Sequence, residues 1–362
     1  MTMNPIECPQ ASPRSYFLLL GRNGLLLYPT LVLLALVATA CQEPPKETAA
    51  DTAPGTVSVW IDTDPSVAPG GREVDDGLAL IQAFHSDELD IRGVSVVFGH
   101  APLEEAFPIG QGIAQRFGPE GLEVYSGAES RDQLGQETAA SRALAEAIRQ
   151  EPLIVLALGP VTNVATVLGN HPELARRIPQ VIAVAGRRPD QSFVTGEAVG
   201  VPHQDFNFEL DAGAFQVILD SGVPLTLAPW ELASKVWILP EDLDRLAAGP
   251  PGAQWLTQPA RDWLTLWTER FAVDGFNPFD TLAVGYATSP HLITCELLPV
   301  VIRSLPDDRA IAAGEPEIPE KPYLLVAANI RSTSHARYCY DTTGAFKTDL
   351  MARLLRSPVA AQ

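Results

Sequence analysis

The chain has 362 residues, 46% of them hydrophobic, which is enough to bury a sizeable core. Its 44 acidic and 25 basic side chains give a formal net charge of −19 at pH 7. Nucleic acid polymers are bound through clustered Lys and Arg, so this balance argues against them as partners, and solubility explains most of the acidity.

The first 40 residues have the pattern of an export signal. Arg14 and Arg22 precede an apolar run at residues 25–38, and a cysteine follows at position 41. The run has 14 residues, fewer than the roughly 20 that span a bilayer comfortably. The pattern therefore favours a cleaved bacterial lipoprotein signal at residues 1–40, with Cys41 as the lipidated residue, over a retained transmembrane anchor.

Residues 41–55 are predicted to form a flexible tether, because they are rich in Pro, Glu, Thr and Ala and contain no large apolar side chains. The folded domain is predicted at residues 56–358. We therefore expect a protein of the bacterial cell envelope, attached to a membrane by lipid at Cys41 and facing the periplasm or the exterior.

The domain is predicted to have an α/β fold. Segments rich in β-branched residues alternate with segments whose apolar side chains repeat at helical spacing. The predicted strands are 57–61, 91–98, 153–158, 181–185 and 224–228, and the helices between them are 75–85, 103–117, 138–150, 162–168 and 211–221. This alternation predicts a mainly parallel open sheet with helices on both faces.

The pattern changes after residue 240. A long helix is predicted at 254–271, strands at 292–302 and 336–340, and a final helix at 342–355. We expect these C-terminal elements to cover the carboxyl edge of the sheet. Cys295 and Cys339 lie in the two late strands, where they form either a disulfide in an oxidising compartment or two separately buried thiols.

Four carboxylates flank the first predicted strand-to-helix connection: Asp62, Asp64, Asp75 and Asp76. Such connections place ligand sites at the carboxyl ends of parallel strands. Four like charges so close together repel one another unless a cation or shared protons compensate them, and oxygen ligands suit Ca²⁺ or Mg²⁺ better than zinc. The pattern favours a metal site; the alternative is that Asp75 or Asp76 serves only as a helix cap.

This segment resembles the signature of the inosine-uridine preferring nucleoside hydrolase family, in which a strand ends in Asp-x-Asp-Pro and a helix opens with Asp-Asp-Ala-x-Ala-Leu. The helix here opens with Asp-Asp-Gly-Leu-Ala-Leu at residues 75–80. Further segments similar to those of the family follow in order at 91–99, 156–165, 205–211, 221–226 and 279–284. The resemblance implies a Rossmann-like nucleoside hydrolase fold. It also implies Ca²⁺-dependent cleavage of the N-glycosidic bond of ribonucleosides, or of a related N-riboside, to free base and ribose.

The resemblance implies a metal site with four ligands. Asp64, Asp76 and Asp280 are expected to contribute carboxylates, and Leu158 its backbone carbonyl. Asp64 is also expected to be the general base that activates a metal-bound water. Local sequence alone explains Asp280 as a helix N-cap, so its ligand role depends on the resemblance.

The resemblance also implies residues that contact the substrate, a small nucleoside or related N-riboside. Asp75 and Asn207 are expected to hold the ribose hydroxyls, Asp205 to lie near the 5′ end of the sugar, and Asp62 to support the loop. His100 replaces the Asn that ends the family's second strand, and it is a candidate for lining the pocket. A homodimer or homotetramer is also expected.

Other departures from the family leave the leaving-group chemistry open. The spacer at 66–74 is longer than the two-residue spacer of the family, and Arg72 and Glu73 within it either enter the site or shield it. Phe279 replaces the His that the family pairs with Asp280. His203 is a further candidate proton donor, while Trp230 suits either base stacking or core packing.

Two other functions are compatible with the sequence. The lost family residues are compatible with a non-catalytic ligand-binding envelope lipoprotein that retains the fold and the metal site. The Asp62-Thr63-Asp64 segment after an apolar strand also suits a phosphatase, for which Lys235 is the available cationic partner.

Overall fold

The computed structural model describes residues 55–196 and 202–356. The predicted signal, Cys41 and nearly all of the predicted tether lie outside these ranges. Among the helices within them, none has both the length and the hydrophobicity that a membrane crossing requires.

One sheet forms the centre of the domain. Its strands are β1 Val57–Thr63, β2 Leu89–Val96, β3 Val124–Ser126, β4 Ile154–Ala157, β5 Val181–Ala183, β6 Leu225–Leu227, β7 Ile293–Pro306, β8 Glu320–Val326 and β9 His335–Thr342. The strand order is β3-β2-β1-β4-β5-β6-β9-β7-β8. Neighbours from β3 to β9 are parallel, and β7 pairs antiparallel with both β9 and β8. The predicted mainly parallel open sheet is confirmed.

Helices connect these strands. They are α1 Asp75–Phe84, α2 Leu103–Phe117, α3 Ala139–Gln150, α4 Thr162–Asn170, α5 Phe206–Leu210, α6 Ala212–Ser221, α7 Trp230–Ala233, α8 Pro240–Ala247, α9 Pro251–Phe271, α10 Phe279–Thr288, α11 Asp308–Ala313 and α12 Gly344–Leu354. Because β1, β2, β4, β5 and β6 are parallel, the carboxyl ends of these strands lie at the same edge of the sheet.

Successive side chains of β1 point to opposite faces of the sheet, and each face packs against its own helices. Val59 and Ile61 belong to the hydrophobic cluster that includes residues of α1, α9, α10 and α12. Trp60 belongs to the cluster that includes residues of α3, α4 and α6. The predicted helical layers on both faces are thus present.

Local hydrogen bonds explain where two helices begin. The Thr138 hydroxyl accepts the backbone N–H of Ser141 at 3.1 Å, so α3 starts one residue after this cap. The Asp211 carboxylate accepts the N–H of Ala214 at 2.9 Å and starts α6 in the same way. Both caps lie within the helices predicted from sequence, so only the helix boundaries shift.

The expectation that the C-terminal strands cover the carboxyl edge is wrong. β9 pairs parallel with β6, and β7 and β8 extend the sheet beyond it. Ala336 and Tyr338 of β9 pack in the same hydrophobic cluster as Leu225 and Leu227 of β6. Continuing the sheet buries this apolar face, which a strand lying across the edge would leave exposed.

Cys295 of β7 and Cys339 of β9 are register partners and form a disulfide. Their replacement by Ser together is expected to lower the free energy of unfolding by about 4 kcal/mol, because the bond closes a 44-residue separation in the unfolded chain. Urea unfolding of the oxidised wild type and the double variant measures this difference. Wild type treated with a reductant should match the double variant, and a wild type whose midpoint does not respond to reductant would contradict the prediction.

Candidate active site

Five acidic side chains meet at the carboxyl end of β1. Asp62 and Asp64 are at the end of that strand, Asp75 and Asp76 open α1, and Asp280 lies in the first turn of α10. Each is at most 6% exposed. Motifs far apart in sequence are therefore gathered into one buried place.

Glu73 is a sixth acid in this place, so of the two roles expected for the inserted spacer this residue enters the site. Its side chain is 4% exposed, and Oε1 accepts the backbone N–H of Asp75 and, at 3.2 Å, that of Asp76. Glu73 thus serves the N-terminus of α1, which leaves the carboxylates of Asp75 and Asp76 free of a capping role. Arg72 does not enter the cluster but forms an exposed ion pair with Glu105 at 2.6 Å.

Hydrogen bonds hold one oxygen of each central carboxylate. The backbone N–H of Asp64 donates to Asp76 Oδ1 at 3.1 Å, and the Thr63 hydroxyl donates to the same oxygen. The backbone N–H of His100 donates to Asp64 Oδ2 at 2.8 Å. Five carboxylate oxygens of the cluster are buried without a hydrogen-bond partner in the described parts of the chain: Asp62 Oδ2, Asp64 Oδ1, Glu73 Oε2, Asp75 Oδ1 and Asp76 Oδ2. Buried carboxylate oxygens without partners fit a bound hard cation.

The charges of the cluster reinforce this interpretation. Burial raises the pKa of Asp64, Asp75, Asp76 and Asp280, and repulsion from the neighbouring acids raises the pKa of Asp64, Asp75 and Asp280 further. Carboxylate oxygens of Glu73, Asp75 and Asp76 lie within 4.8 Å of one another. Among the described residues, no set that includes Asp64 or Asp280 reaches that spacing. Asp64 and Asp280 nevertheless lie close enough to Asp75 and Asp76 for the charges of those two acids to raise their pKa.

Glycine is required beside Asp64. A Cβ atom on Gly159 would lie 2.5 Å from Asp64 Oδ1, which is the oxygen without a partner. Gly99, in the connection after β2, would bring a Cβ atom against Asp64 Oδ2. Both chain segments therefore pass closely beside this carboxylate, and side chains there would take up the space next to it.

Replacement of Gly159 by Ala is expected to reduce turnover by more than about 100-fold, because Asp64 must move by an ångström or more and reactions lose rate steeply with such displacement. Gly112→Ala is the matched control: it lies within α2 with open space around it, and it should leave turnover unchanged and raise stability slightly. Steady-state kinetics and thermal melting of the two variants test this. Equal activity of Gly159→Ala and wild type would contradict the prediction.

Asp62 lies behind the cluster with its own set of hydrogen bonds. Its Oδ1 accepts the Ser95 hydroxyl at 2.5 Å and the Asn163 side-chain amide at 2.8 Å. Asn163 Oδ1 in turn accepts the N–H of Ala128 at 2.9 Å. Burial raises the pKa of Asp62 to about 7. These contacts join β1, β2 and α4, and they suit the supporting role expected of Asp62.

A cavity of about 420 Å³ adjoins the cluster. Asp280 connects the two, because it lines the cavity and its pKa is raised by Asp75, Asp76 and Asp64 as well as by burial. Seven of its 19 lining residues are Phe or Trp: Phe193, Phe206, Trp230, Trp263, Trp267, Phe271 and Phe279. This combination of a concave aromatic surface with a few polar groups is typical of a small-molecule site.

Three of the four predicted substrate-contact residues line this cavity, and Asp75 does not. Asn207 donates through Nδ2 to the carbonyls of Leu158 at 2.5 Å and Val184 at 3.2 Å. Asp205 Oδ2 accepts the N–H of Gly186 at 2.9 Å, and burial raises its pKa to about 7. The His100 ring stacks on Phe206 with centroids 4.2 Å apart. His100, Asp205 and Asn207 thus share the cavity with Asp280.

Two further candidates have clear positions. Trp230 lines the cavity and stacks on Phe193 with centroids 5.2 Å apart, so its ring has an accessible side as well as a packed one. Lys235 is exposed and is not part of the lining. Lys235 is thus exposed while Asp62 and Asp64 are buried, so it gives the phosphatase interpretation no support.

Comparison with known proteins identifies similar chains. The family profile described as inosine-uridine preferring nucleoside hydrolase matches residues 59–316. The pyrimidine-specific ribonucleoside hydrolase RihA of Klebsiella pneumoniae is 25% identical over 266 residues, which are 65% of this chain and 81% of that relative. RihA of Citrobacter koseri is 24% identical over 249 residues, 61% of this chain and 78% of the relative.

Solved structures share the fold. A plant nucleoside hydrolase, PpNRh1, superposes with a TM-score of 0.69 at 19% identity, covering 84% of this chain and all of that one. A purine-preferring ribonucleoside hydrolase from Gardnerella vaginalis superposes with a TM-score of 0.65 at 17% identity, covering 82% of this chain and 98% of that one. The α/β fold with its parallel sheet is therefore common to these proteins.

Proposed function

This chain belongs to the inosine-uridine preferring nucleoside hydrolase family, and on that premise we propose that it hydrolyses the N-glycosidic bond of ribonucleosides or related N-ribosides to free base and ribose. The observation that supports this most is the placement of a buried acidic cluster directly beside an aromatic cavity, with Asp280 belonging to both. The cluster suits a cationic sugar and its water, and the aromatic surface suits a flat base.

Asp64 is proposed as the general base. Its Oδ1 has no hydrogen-bond partner in the described residues, so it is available to accept a proton from water. It takes a proton from the attacking water as the water oxygen bonds to the anomeric carbon. The carbon–nitrogen bond breaks, and the base leaves with the electron pair. The His100 N–H holds Asp64 Oδ2 and so fixes the direction of Oδ1.

Asp75 and Asn207 are proposed to hold the ribose hydroxyls, with Asp205 near the 5′ end of the sugar and His100 as a further substrate contact. Asn207 is itself fixed by two backbone carbonyls, and Asp205 by the N–H of Gly186. Because these side chains are already held in place, they can position a sugar without losing further conformational freedom when it binds. Positive charge that develops on the sugar is stabilised by the adjacent carboxylates.

A resident cation fits the acidic cluster, and we propose Ca²⁺. Asp64, Asp76, Asp280 and the Leu158 carbonyl are the proposed ligands, and all of their donor atoms are oxygen, which suits Ca²⁺. The unpartnered oxygens of Asp64 and Asp76 support this proposal, since a divalent cation would offset the repulsion between these carboxylates. When bound, a divalent cation lowers the pKa of nearby water.

The leaving base is not protonated by a histidinium at His203. Burial, with added effects from the charges of Arg270 and Arg309, lowers the pKa of His203 to about 4, so its ring is neutral at pH 7. Phe279 has no proton to give. We therefore propose that water protonates the leaving nitrogen, which favours bases that depart readily as anions.

Chromatography of a panel of purine and pyrimidine ribonucleosides incubated with the purified protein and Ca²⁺ tests the proposed activity. We expect free base and ribose in equal amounts from at least one member. Ligand-induced stabilisation without any product would instead favour the non-catalytic binding lipoprotein, which retains the same fold and acidic cluster.

We further propose that the protein is attached to the bacterial cell envelope by lipid at Cys41. The signal pattern before Cys41 supports this, and the Cys295–Cys339 disulfide suits an oxidising compartment. Wild-type protein expressed in bacteria should sediment with membranes, and Cys41→Ser should not. Sedimentation of a detergent-extracted sample would also test the proposed homodimer or homotetramer.

A further inference from the structure

The cavity contains basic groups that the proposed reaction does not use. Arg270, in the last turn of α9, and Arg309, in α11, both line it together with His203. Neither arginine forms an ion pair with an acid in the part of the chain that the structure describes. Among the residues that the structure describes, the lining therefore includes two guanidinium groups without an acidic partner.

The acids next to Arg309 are already engaged. Asp307 Oδ1 accepts the backbone N–H of Arg309, not its side chain, at 2.9 Å. Asp308 binds Arg187 at 2.7 Å and Lys321 at 2.9 Å. The Arg309 Nε atom is buried and has no hydrogen-bond partner among the described residues. A buried N–H without a partner is costly, so this atom points to an acceptor supplied by a ligand.

The two arginines lie near His203, whereas Asp280 lies beside the metal cluster, and Asp205 is a further acid of the lining. Arg270 and Arg309 both lower the pKa of His203, so they lie near that ring, which is packed edge-on against Phe271 at 4.7 Å. The acids that raise the pKa of Asp280 are those of the metal cluster. His203 Nε2, like Arg309 Nε, is buried without a partner in the described residues. Two unpartnered polar atoms of the lining, one on His203 and one on Arg309, thus belong to residues outside the metal cluster.

We infer that the N-riboside bound here has an anionic substituent, a carboxylate or a phosphate, which Arg270 and Arg309 bind while the ribose lies at the acidic cluster. This inference rests on the proposed hydrolase function and narrows its substrate class. Guanidinium groups bind carboxylates and phosphates through charge-assisted hydrogen bonds. The same substituent would be repelled by the acids around Asp64, so the separation of charge also fixes the orientation of the substrate.

The anion belongs either to the base or to the 5′ carbon, and three related compounds distinguish these sources. Uridine is neutral, orotidine adds a carboxylate to the base, and uridine 5′-phosphate adds a phosphate to the sugar. We measure kcat/KM for each with the full chain and Ca²⁺. Wild type should prefer one of the two anionic compounds over uridine by at least about tenfold, as expected for hydrogen bonds to a charged group.

Matched variants test the two arginines. In the Arg270→Gln, Arg309→Gln double variant, the ratio of kcat/KM for the preferred anion to that for uridine should fall by about tenfold or more. Arg303→Gln removes the same charge from an exposed position on β7 outside the cavity, and it should preserve the ratio. Raising the salt concentration should reduce the preference of wild type as well.

Binding by the Asp64→Asn variant separates this inference from the proposed function. Calorimetry with the same three compounds should show tighter binding of an anion, and the two glutamine substitutions should remove that difference. Arginine-dependent anion binding without turnover by wild type would refute the hydrolase but support the anion site. Hydrolysis of uridine at least as efficient as that of both anions would overturn the inference and leave the hydrolase intact.

Discussion

Replacement of Asp64 by Asn is expected to lower kcat by about 1,000-fold, within the range of 10²–10⁴ that a general base contributes. Asparagine keeps the size of the side chain and can still accept the His100 N–H, but it cannot take a proton from water. The variant should remain folded, because one of several repelling buried charges is removed. Steady-state kinetics and thermal melting are the measurements.

Asp87→Asn is the control for this substitution, since Asp87 is an exposed acid whose side chain is 83% accessible and pairs only with exposed Arg356. It should change neither kcat nor stability appreciably. An Asp64→Asn variant that keeps more than a tenth of wild-type kcat would show that another group activates the water.

Removal of divalent cations is expected to abolish turnover and to destabilise the protein. A cation that binds only the folded chain at 100 times its dissociation constant adds about 2.7 kcal/mol of stability, which a chelator removes. Activity should return with added Ca²⁺. The measurements are turnover and unfolding midpoints with chelator, with Ca²⁺ and with Mg²⁺.

The pH dependence of this effect has a definite sign. The cluster carboxylates have a pKa above the ordinary value of 3.8 in the folded chain without metal. Protonation of these carboxylates therefore stabilises the folded chain fully below the ordinary pKa of 3.8. This stabilisation is lost as the pH rises through the raised pKa of the folded chain. Ca²⁺ should stabilise the protein more at pH 8 than at pH 5. Stabilisation that is equal at both pH values, or full activity in chelator, would contradict a cation at this cluster.

Much of the fold follows from local sequence. The helix at 103–117 has the predicted bounds, and the helix predicted at 138–150 differs by its cap residue alone. β3 was not predicted, because a strand of three residues has too few positions to establish a period of two. The pairing of β9 with β6 was not predicted either, because pairing between strands distant in sequence depends on burial and not on local pattern.

The acidic cluster could be assembled from sequence because its members lie in recognisable segments. For Glu73 the sequence left two roles open, entering the site or shielding it, since the residue lies in an inserted loop beside Arg72, where an acid is usually solvated. The available signal was its spacing, because Oε1 reaches the N–H groups two and three residues later, as helix-capping side chains do. Arg270 and Arg309 reach the cavity from late helices whose docking no local pattern specifies.

The origin of the new ribose oxygen tests hydrolysis at the acidic cluster most directly. The protein, with Ca²⁺ and the ribonucleoside that it cleaves fastest, is incubated in water enriched in ¹⁸O, and the ribose is analysed promptly by mass spectrometry. We predict one ¹⁸O atom in the released ribose, and loss of this product in the Asp64→Asn variant. Release of base without labelled ribose, or labelled ribose formed equally by the variant, would contradict hydrolysis at the acidic cluster.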